Sequence, residues 1–314
     1  MENEANRSVA GIPWERAVIE KLVLAQVRER RAARIWRVIK SLLWLLLIAA
    51  VFWGLHSGRV ARGPHTAVVE IKGVIAKGAD ASADSVLPAL REAMNDDQAK
   101  ALVLLIDSPG GSPVQAGLIN DEITRLRKKY KKPVYAVVED TCASGAYYIA
   151  VAADKIYVNK ASLVGSIGVL MNGFGFVDTL NKLGVERRLL TAGENKGFLD
   201  PFSPMTDAQK QYAQTMLAQI HQQFIDVVKQ GRGARLKETP EIFSGLFWTG
   251  EQSIDLGLAD AYGSLDSVAR DVVKASKVVD YTRKANPFDR LAKRFGMALG
   301  QGAVQALEEA PQLR

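Results

Sequence analysis

Residues 101–114 read ALVLLIDSPGGSPV, and residues 134–150 read VYAVVEDTCASGAYYIA. Each stretch opens with a short apolar run that predicts a buried strand, passes through a turn and continues into a helical pattern. Buried strands that alternate with helices favour a parallel-type sheet with right-handed crossovers. The two stretches therefore predict an α/β fold.

The alternation continues on both sides of these stretches, and no internal repeat interrupts it. It predicts further strands over 66–71, 155–160 and 186–192, and helices over 83–94, 114–130, 143–153, 176–184 and 207–230. Thr206 and Asp207 are of the residue types preferred at a helix N-cap and in its first turn.

The composition is that of a globular protein with a sizeable core, since 48% of the 314 residues are hydrophobic and 24% are charged. The net charge is +7. Much of the excess lies in one cluster: Arg28, Arg30, Arg31, Arg34, Arg37 and Lys40. A basic run beside an apolar run indicates a membrane flank. Because no zinc-binding spacing or base-stacking motif accompanies the charge, no nucleic-acid partner is expected.

The apolar run follows Lys40, and no charged residue occurs before Arg59. Its core, LLWLLLIAAVFWGL, predicts a single transmembrane anchor over 41–58, with a cleaved signal peptide or a buried helix as alternatives. The expected layout is a basic cytoplasmic segment over 1–40, the anchor, a catalytic domain over 59–281, and a C-terminal basic tail over 282–314. The tail is either amphipathic, on the membrane surface, or flexible. The charge bias places the domain outside a bacterial inner membrane, with lipid as a partner.

The supply of metal ligands and thiols is small. Cys142 is the single cysteine, so no intramolecular disulfide forms. The three histidines, His56, His65 and His221, are too few and too scattered for a metal site, and all three are interpreted as solvated or interfacial. We expect neither a metal nor a cofactor.

Ser144 lies between a predicted strand and a predicted helix, where a serine can act as a nucleophile next to the positive end of the helix dipole. The alternative is a helix N-cap. The surroundings differ from the G-x-S-x-G elbow of α/β-hydrolases, because Cys142 and Ala146 replace its glycines, and no Ser-His-Asp triad is indicated.

A base and two backbone donors complete the candidate chemistry. Lys196 follows in a glycine-containing loop, where burial among Phe198, Leu199 and Phe202 would favour the neutral amine that a general base requires. A solvated surface lysine is the alternative. Gly110 and Gly111 allow close backbone approach, so their N–H groups are candidate oxyanion donors, unless the turn is an ordinary strand-to-helix connection.

Taken together, the strand–DSPGGS–helix, strand–CASGAYY–helix and loop-lysine pattern resembles peptidase family S49, the signal peptide peptidase or protease IV family. The resemblance covers residues 66 to 275 and includes WTGEQSIDLGLAD, with Ser253 where alanine is usual. It implies a crotonase/ClpP-like superfold of repeated ββα units and a membrane-anchored serine peptidase of the single-copy short form. It also implies Ser144 as nucleophile, Lys196 as base, Gly145 with Gly111 or Gly110 as oxyanion donors, and Ser166 as the residue that orients the lysine.

The same resemblance implies peptide substrates, in particular remnant signal peptides, and a homo-oligomeric ring whose active site is completed between subunits. Two alternatives stay open. One is a crotonase-type acyl-CoA hydratase or isomerase, which uses paired carboxylates. The other is a catalytically inactive membrane scaffold of the same fold.

Overall fold

The structure is a computed structural model that describes residues 13–57 and 63–283. The chain divides into two compact units, Met1–Val60 and Ala61–Arg314. The described part of the first unit is one helix, α1, Pro13–Ser57. The residues predicted as a C-terminal tail lie, from 284 on, outside the described residues.

Helix α1 carries exposed apolar side chains along its second half, among them Trp36, Leu43, Trp44 and Leu46. Within residues 13–57 and 63–283, no helix is both long and apolar enough to cross a membrane, so the anchor predicted over 41–58 is not shown.

The second unit is built on a mixed sheet that is almost entirely parallel, which confirms the predicted α/β class. Its order is β6-β5-β3-β2-β1-β8, and β4 pairs with β3 and β7. Only the β5–β6 pair is antiparallel among the described pairs. The strands are β1 His65–Lys72, β2 Ala99–Ser108, β3 Val134–Ala143, β4 Lys155–Val158, β5 Leu163–Gly165, β6 Phe247–Thr249, β7 Ala261–Tyr262 and β8 Val278–Asp280.

Helices connect the strands and cover the sheet. They are α2 Ala83–Asn95, α3 Pro113–Tyr130, α4 Gly145–Ala150, α5 Val177–Lys182, α6 Asp207–Arg232, α7 Gly250–Asp255 and α8 Leu265–Ser267, with single irregular turns at Gly233–Arg235 and Val268–Val272. The N-terminus of α6 confirms the predicted cap: the Thr206 hydroxyl accepts from the Gln209 N–H, and the Gln209 side chain accepts in return from the Thr206 N–H.

Strand alternation places core residues on both faces of the sheet. Ala67, Val69 and Ile71 point into the larger core, against α2, α3 and α4, while Val68 belongs to a smaller cluster on the other face. The sheet therefore gives the strand-to-helix turns at its carboxyl edge a rigid base.

Two sequence predictions need correction. The strand predicted over 186–192 is absent, and that stretch is exposed. A strand needs a hydrogen-bonded neighbour, and none of the described strands pairs with this stretch. The helix predicted over 143–153 is shorter, Gly145–Ala150, because β3 continues through Ala143 and Ser144 forms the turn.

Candidate active site

Ser144 occupies a strained position between β3 and α4. Its φ is 53° and its ψ −122°, a combination that residues with a side chain adopt at a cost of about 1–3 kcal/mol. Backbone hydrogen bonds hold it there: the Ser144 N–H donates to the Gly165 carbonyl at 2.8 Å, and the Ser144 carbonyl accepts from the Tyr148 N–H at 3.0 Å. Ser144 occupies the N-cap position of α4, as the alternative interpretation has it, but its side chain makes no capping hydrogen bond.

The DSPGGS turn packs directly against this serine. A Cβ on Gly110 would lie 2.8 Å from the Ser144 Cβ, and a Cβ on Gly111 would lie 2.2 Å from the Ile75 carbonyl oxygen. Both glycines also have positive φ, 94° and 150°. The approach therefore requires glycine at both positions.

Hydrogen bonding distinguishes Gly110 from Gly111 as candidate oxyanion donors. The Gly110 N–H donates to the Ser108 Oγ at 3.1 Å, and the Ser108 hydroxyl donates in turn to the Gly73 carbonyl at 2.6 Å. The Gly111 N–H has no hydrogen-bond partner within the part of the chain that the structure describes. Of the two candidates, Gly111 is the one with a free donor.

Gly145 supplies a second free donor. It is the first residue of α4, and within residues 63–283 its N–H has no partner, as expected in the first helical turn. The Gly111 nitrogen lies 3.3 Å from the position that a Cβ on Gly145 would take, so the two backbones are adjacent. Two unpaired N–H groups beside a strained serine are the donor arrangement that an oxyanion requires.

Ser144 and Ser166 line one cavity of about 630 Å³. Strand β5 runs parallel to β3 with Ala143 opposite Gly165, so the two serines follow paired strand ends. Ser166 also has positive φ, 49°, and its N–H donates to the Leu246 carbonyl at 2.8 Å. Most of the wall is apolar: Pro109, Pro113, Ala116, Tyr148, Val169, Leu170, Ile220, Phe224 and Phe247.

Lys196 does not join these groups within one chain. Its side chain is exposed and does not line the cavity. Its backbone lies in a turn, where the Lys196 N–H donates to the Gly193 carbonyl at 3.1 Å. The structure thus brings together Ser144, Gly111, Gly145 and Ser166, and leaves the predicted base outside.

The aromatic residues expected to bury Lys196 are engaged elsewhere. The Phe198 ring packs edge-on against the Tyr212 ring, with 5.6 Å between the ring centroids. The Phe202 ring stacks on the Phe176 ring, with 5.5 Å between the centroids. Lys196 is exposed, so these aromatic side chains do not bury its amine within one subunit.

The other reactive side chains have structural surroundings. Cys142 is buried on β3, and burial raises the pKa of its thiol, so it stays protonated. His65 is also fully buried, and its Nε2 lies 2.9 Å from the Tyr281 hydroxyl, which corrects its interpretation as solvated. The side chain of His56 lies outside the described residues. No group of three possible metal ligands occurs in the described ranges.

Sequence reasoning missed three residues that shape the site. Ser108 fixes the Gly110 N–H, and Leu246 fixes Ser166. His221, on α6, contacts the carbonyl of Ile167 at 3.0 Å, directly after Ser166. The SPGG motif, which begins at Ser108, is a sequence signal that could have identified this residue. Neither Leu246 nor His221 carries a local sequence signal.

Comparison with known proteins identifies the family of the chain. The profile of peptidase family S49 matches residues 126–279. A putative protease of Methanocaldococcus jannaschii is 32% identical over 218 residues, which cover 68% of this chain and 70% of the relative. The chain belongs to peptidase family S49.

Other relatives carry different names and lengths. A Brucella abortus protein named Na(+)/H(+) antiporter NhaA is 43% identical over 208 residues, 65% of this chain. A putative signal peptide peptidase SppA of Enterococcus faecium is 29% identical over 196 residues, 62% of this chain and 57% of the relative. The chain spans 28% of the length of the Brucella abortus relative and of its Brucella melitensis counterpart.

Proposed function

We propose that the chain is a serine endopeptidase with Ser144 as its nucleophile. One observation carries the proposal: a serine in a strained strand-to-helix turn, with no side-chain cap, shares its cavity with the unpaired N–H groups of Gly111 and Gly145. Membership of a peptidase family supports it. Strain at a serine beside two unpaired backbone donors is typical of a site prepared for nucleophilic attack.

In the proposed reaction, the Ser144 Oγ attacks the carbonyl carbon of a peptide bond while a base accepts its proton. The carbonyl oxygen becomes an oxyanion that accepts hydrogen bonds from the Gly111 and Gly145 N–H groups. The C–N bond then breaks, the amine leaves with the proton, and water hydrolyses the acyl-serine.

Lys196 is the proposed base, supplied by a neighbouring subunit of a homo-oligomeric ring. Lys196 is exposed and lies outside the cavity of its own chain, which supports its insertion into the cavity of a neighbouring subunit. So do the exposed apolar side chains of the same segment, residues 168–206, since Leu170, Phe174, Leu183 and Leu190 are 79%, 82%, 70% and 95% exposed in the single chain. Such a surface is normally covered by a partner. Ser166 is proposed to orient the amine.

The proposed substrates are unfolded apolar peptides, including remnants of signal peptides. The largely apolar wall of the cavity supports this class. The printed name of the Enterococcus faecium relative, a putative signal peptide peptidase, supports the narrower substrate.

Location and layout are also proposals. We propose a crotonase/ClpP-like superfold, supported by the branching of the sheet where β3 pairs with both β4 and β5, and boundaries at residues 40, 58 and 281. Exposed apolar residues on α1 beside exposed Arg34, Arg37 and Lys40 support contact with a bacterial inner membrane, with the N-terminus cytoplasmic. A reporter active only outside the cytoplasm should work when fused after residue 275 and fail when fused before residue 30.

Of the two alternatives, the acyl-CoA enzyme lacks support. Its chemistry needs paired carboxylates, and no Asp or Glu is among the described residues that line the cavity. The inactive scaffold is separated by experiment. A fluorophosphonate reagent should label the full-length protein at Ser144, located by peptide mass spectrometry, and should leave Ser144→Ala unlabelled. Labelling elsewhere, or none in protein that cleaves no peptide, would favour the scaffold.

A further inference from the structure

The chain that follows Ser166 forms one wall of the cavity, and beyond the Ile167 side chain, which is fully buried in the larger core, it has little support of its own. Gly168, Val169 and Leu170 line the cavity. From residue 167 to residue 175 the backbone makes no backbone–backbone hydrogen bond within the described part of the chain. This segment approaches another part of the chain closely at Gly168, where an added Cβ would lie 3.1 Å from the Gly245 Cα.

In the part of the chain that the structure describes, one side chain holds this segment by a hydrogen bond. His221 Nε2 lies 3.0 Å from the Ile167 carbonyl oxygen. His221 sits on the inward stripe of α6, three residues before buried Phe224 and seven before buried Val228. Its neighbours Ile220, Gln223 and Phe224 line the cavity, so this part of α6 is itself a wall.

The chemistry of the contact fixes the role of the imidazole. A carbonyl oxygen only accepts, so Nε2 must carry the proton and donate it. Both the neutral ring with the proton on Nε2 and the imidazolium meet this requirement. The contact therefore needs a donor at this place and no change of protonation during a reaction.

We propose that His221 is a positioning residue, which pins the Ile167 carbonyl and so sets the peptide-binding wall formed by residues 167–170. The inference rests on the proposed peptidase function of the same cavity. Ser166 has its own backbone hydrogen bond to Leu246, in which His221 takes no part. The expected defect is accordingly in substrate binding, with the chemical step preserved.

Three full-length variants test the proposal. His221→Leu removes the donor at similar volume. His221→Gln restores a donor, because the glutamine amide nitrogen reaches about the position of Nε2. Gln222→Ala is the control, since the exposed Gln222 side chain donates only to Asp226 on the same helix. KM and kcat are measured on an unfolded apolar peptide. Chymotrypsin nicking after Leu170, Phe174 or Phe176 is measured in the Ser144→Ala background.

His221→Leu should raise KM and the nicking rate about 2- to 10-fold, the range that one hydrogen bond produces, with kcat within about two-fold of wild type. His221→Gln and Gln222→Ala should behave as wild type. If His221→Leu matches Gln222→Ala in both measurements, the pinning role is wrong. If His221→Gln is as impaired as His221→Leu and the loss is in kcat, the imidazole has an acid–base role and the proposal is overturned. If wild type cleaves no peptide, the peptidase proposal fails, and the nicking rates still decide the pinning.

Discussion

The two halves of the proposed dyad lie in regions with opposite physical character. Ser144 sits within residues 65–167, which contain the paired strands β1 to β5 and the helices α2 to α4 and supply most of the larger core. Lys196 sits within residues 168–206, which contain one six-residue helix and no buried residue. The first region positions its chemistry with its own packing. The second has little packing of its own, and this difference accounts for the assembly in one chain of the proposed nucleophile and donors without the proposed base.

The largest effect is expected in the packed region, residues 65–167. Ser144→Ala should reduce peptidase activity by several orders of magnitude, because no other hydroxyl takes over the attack. The fold should persist, since alanine fits the space, and far-UV circular dichroism checks it. Cys142→Ala is the matched control two residues away. It should keep most of the activity, since the thiol is buried and protonated. Loss in the cysteine variant alone would make this a thiol enzyme.

The exposed region, residues 168–206, is tested by Lys196→Arg. This variant should lose about 10³-fold or more of the peptidase activity because guanidinium cannot accept the proton. Mixing Ser144→Ala with Lys196→Ala at equal amounts before assembly should restore about a quarter of wild-type activity, the chance that one site receives both intact groups. An active arginine variant, or no recovery in a mixture shown to be co-assembled, would place the lysine outside the mechanism or within the same subunit.

The oxyanion turn gives the next effect. Gly111→Ala should lower kcat about 10²- to 10³-fold, because the new Cβ would lie 2.2 Å from the Ile75 carbonyl oxygen and would displace the free N–H. Gly117→Ala, on α3, meets nothing within 4 Å and should keep activity while stabilising the helix slightly. Equal activity of the two variants would remove Gly111 from the oxyanion site.

The comparison also explains what the sequence could predict. Apolar runs such as 101–106 are buried strands because the chain itself supplies their neighbours, so pattern and structure agree. Residues 186–192 were also predicted as a strand, but no described strand pairs with them, and Leu190 is left 95% exposed. The strand was inferred from local composition, but it depends on contacts that local composition does not contain, and so does any burial of Lys196. Ser144 was nominated from the order of strand, turn and helix, which is local.

Two leucines measure the same contrast in stability. Leu104→Ala, in the centre of β2 with no exposed surface, should lower the free energy of unfolding by about 3 kcal/mol through lost burial and a cavity. Leu190→Ala should change the unfolding of a dissociated subunit by less than about 0.5 kcal/mol, while weakening assembly in sedimentation velocity. Urea unfolding at subunit concentrations below and above assembly separates the two effects. A large loss from Leu190→Ala in the dissociated subunit would show that the second region is packed after all.

The smallest expected effect compares two carboxylates. Hydrogen bonds from Arg125, and to a smaller extent from Arg91, lower the pKa of Glu122 to about 2. Glu186 instead pairs with Arg188 on the exposed surface. A lowered folded-state pKa stabilises the fold above the unfolded value, near 4.5, and that stabilisation is lost as the pH falls toward 2. The shift corresponds to at most about 3 kcal/mol, and screening of the exposed arginines leaves about 1–2 kcal/mol. Glu122→Gln should therefore unfold at lower urea than wild type at pH 7 and approach it near pH 2.5. Glu186→Gln should match wild type at both pH values. A Glu122→Gln deficit that does not shrink with acid would assign Glu122 a packing role in place of an ionic one.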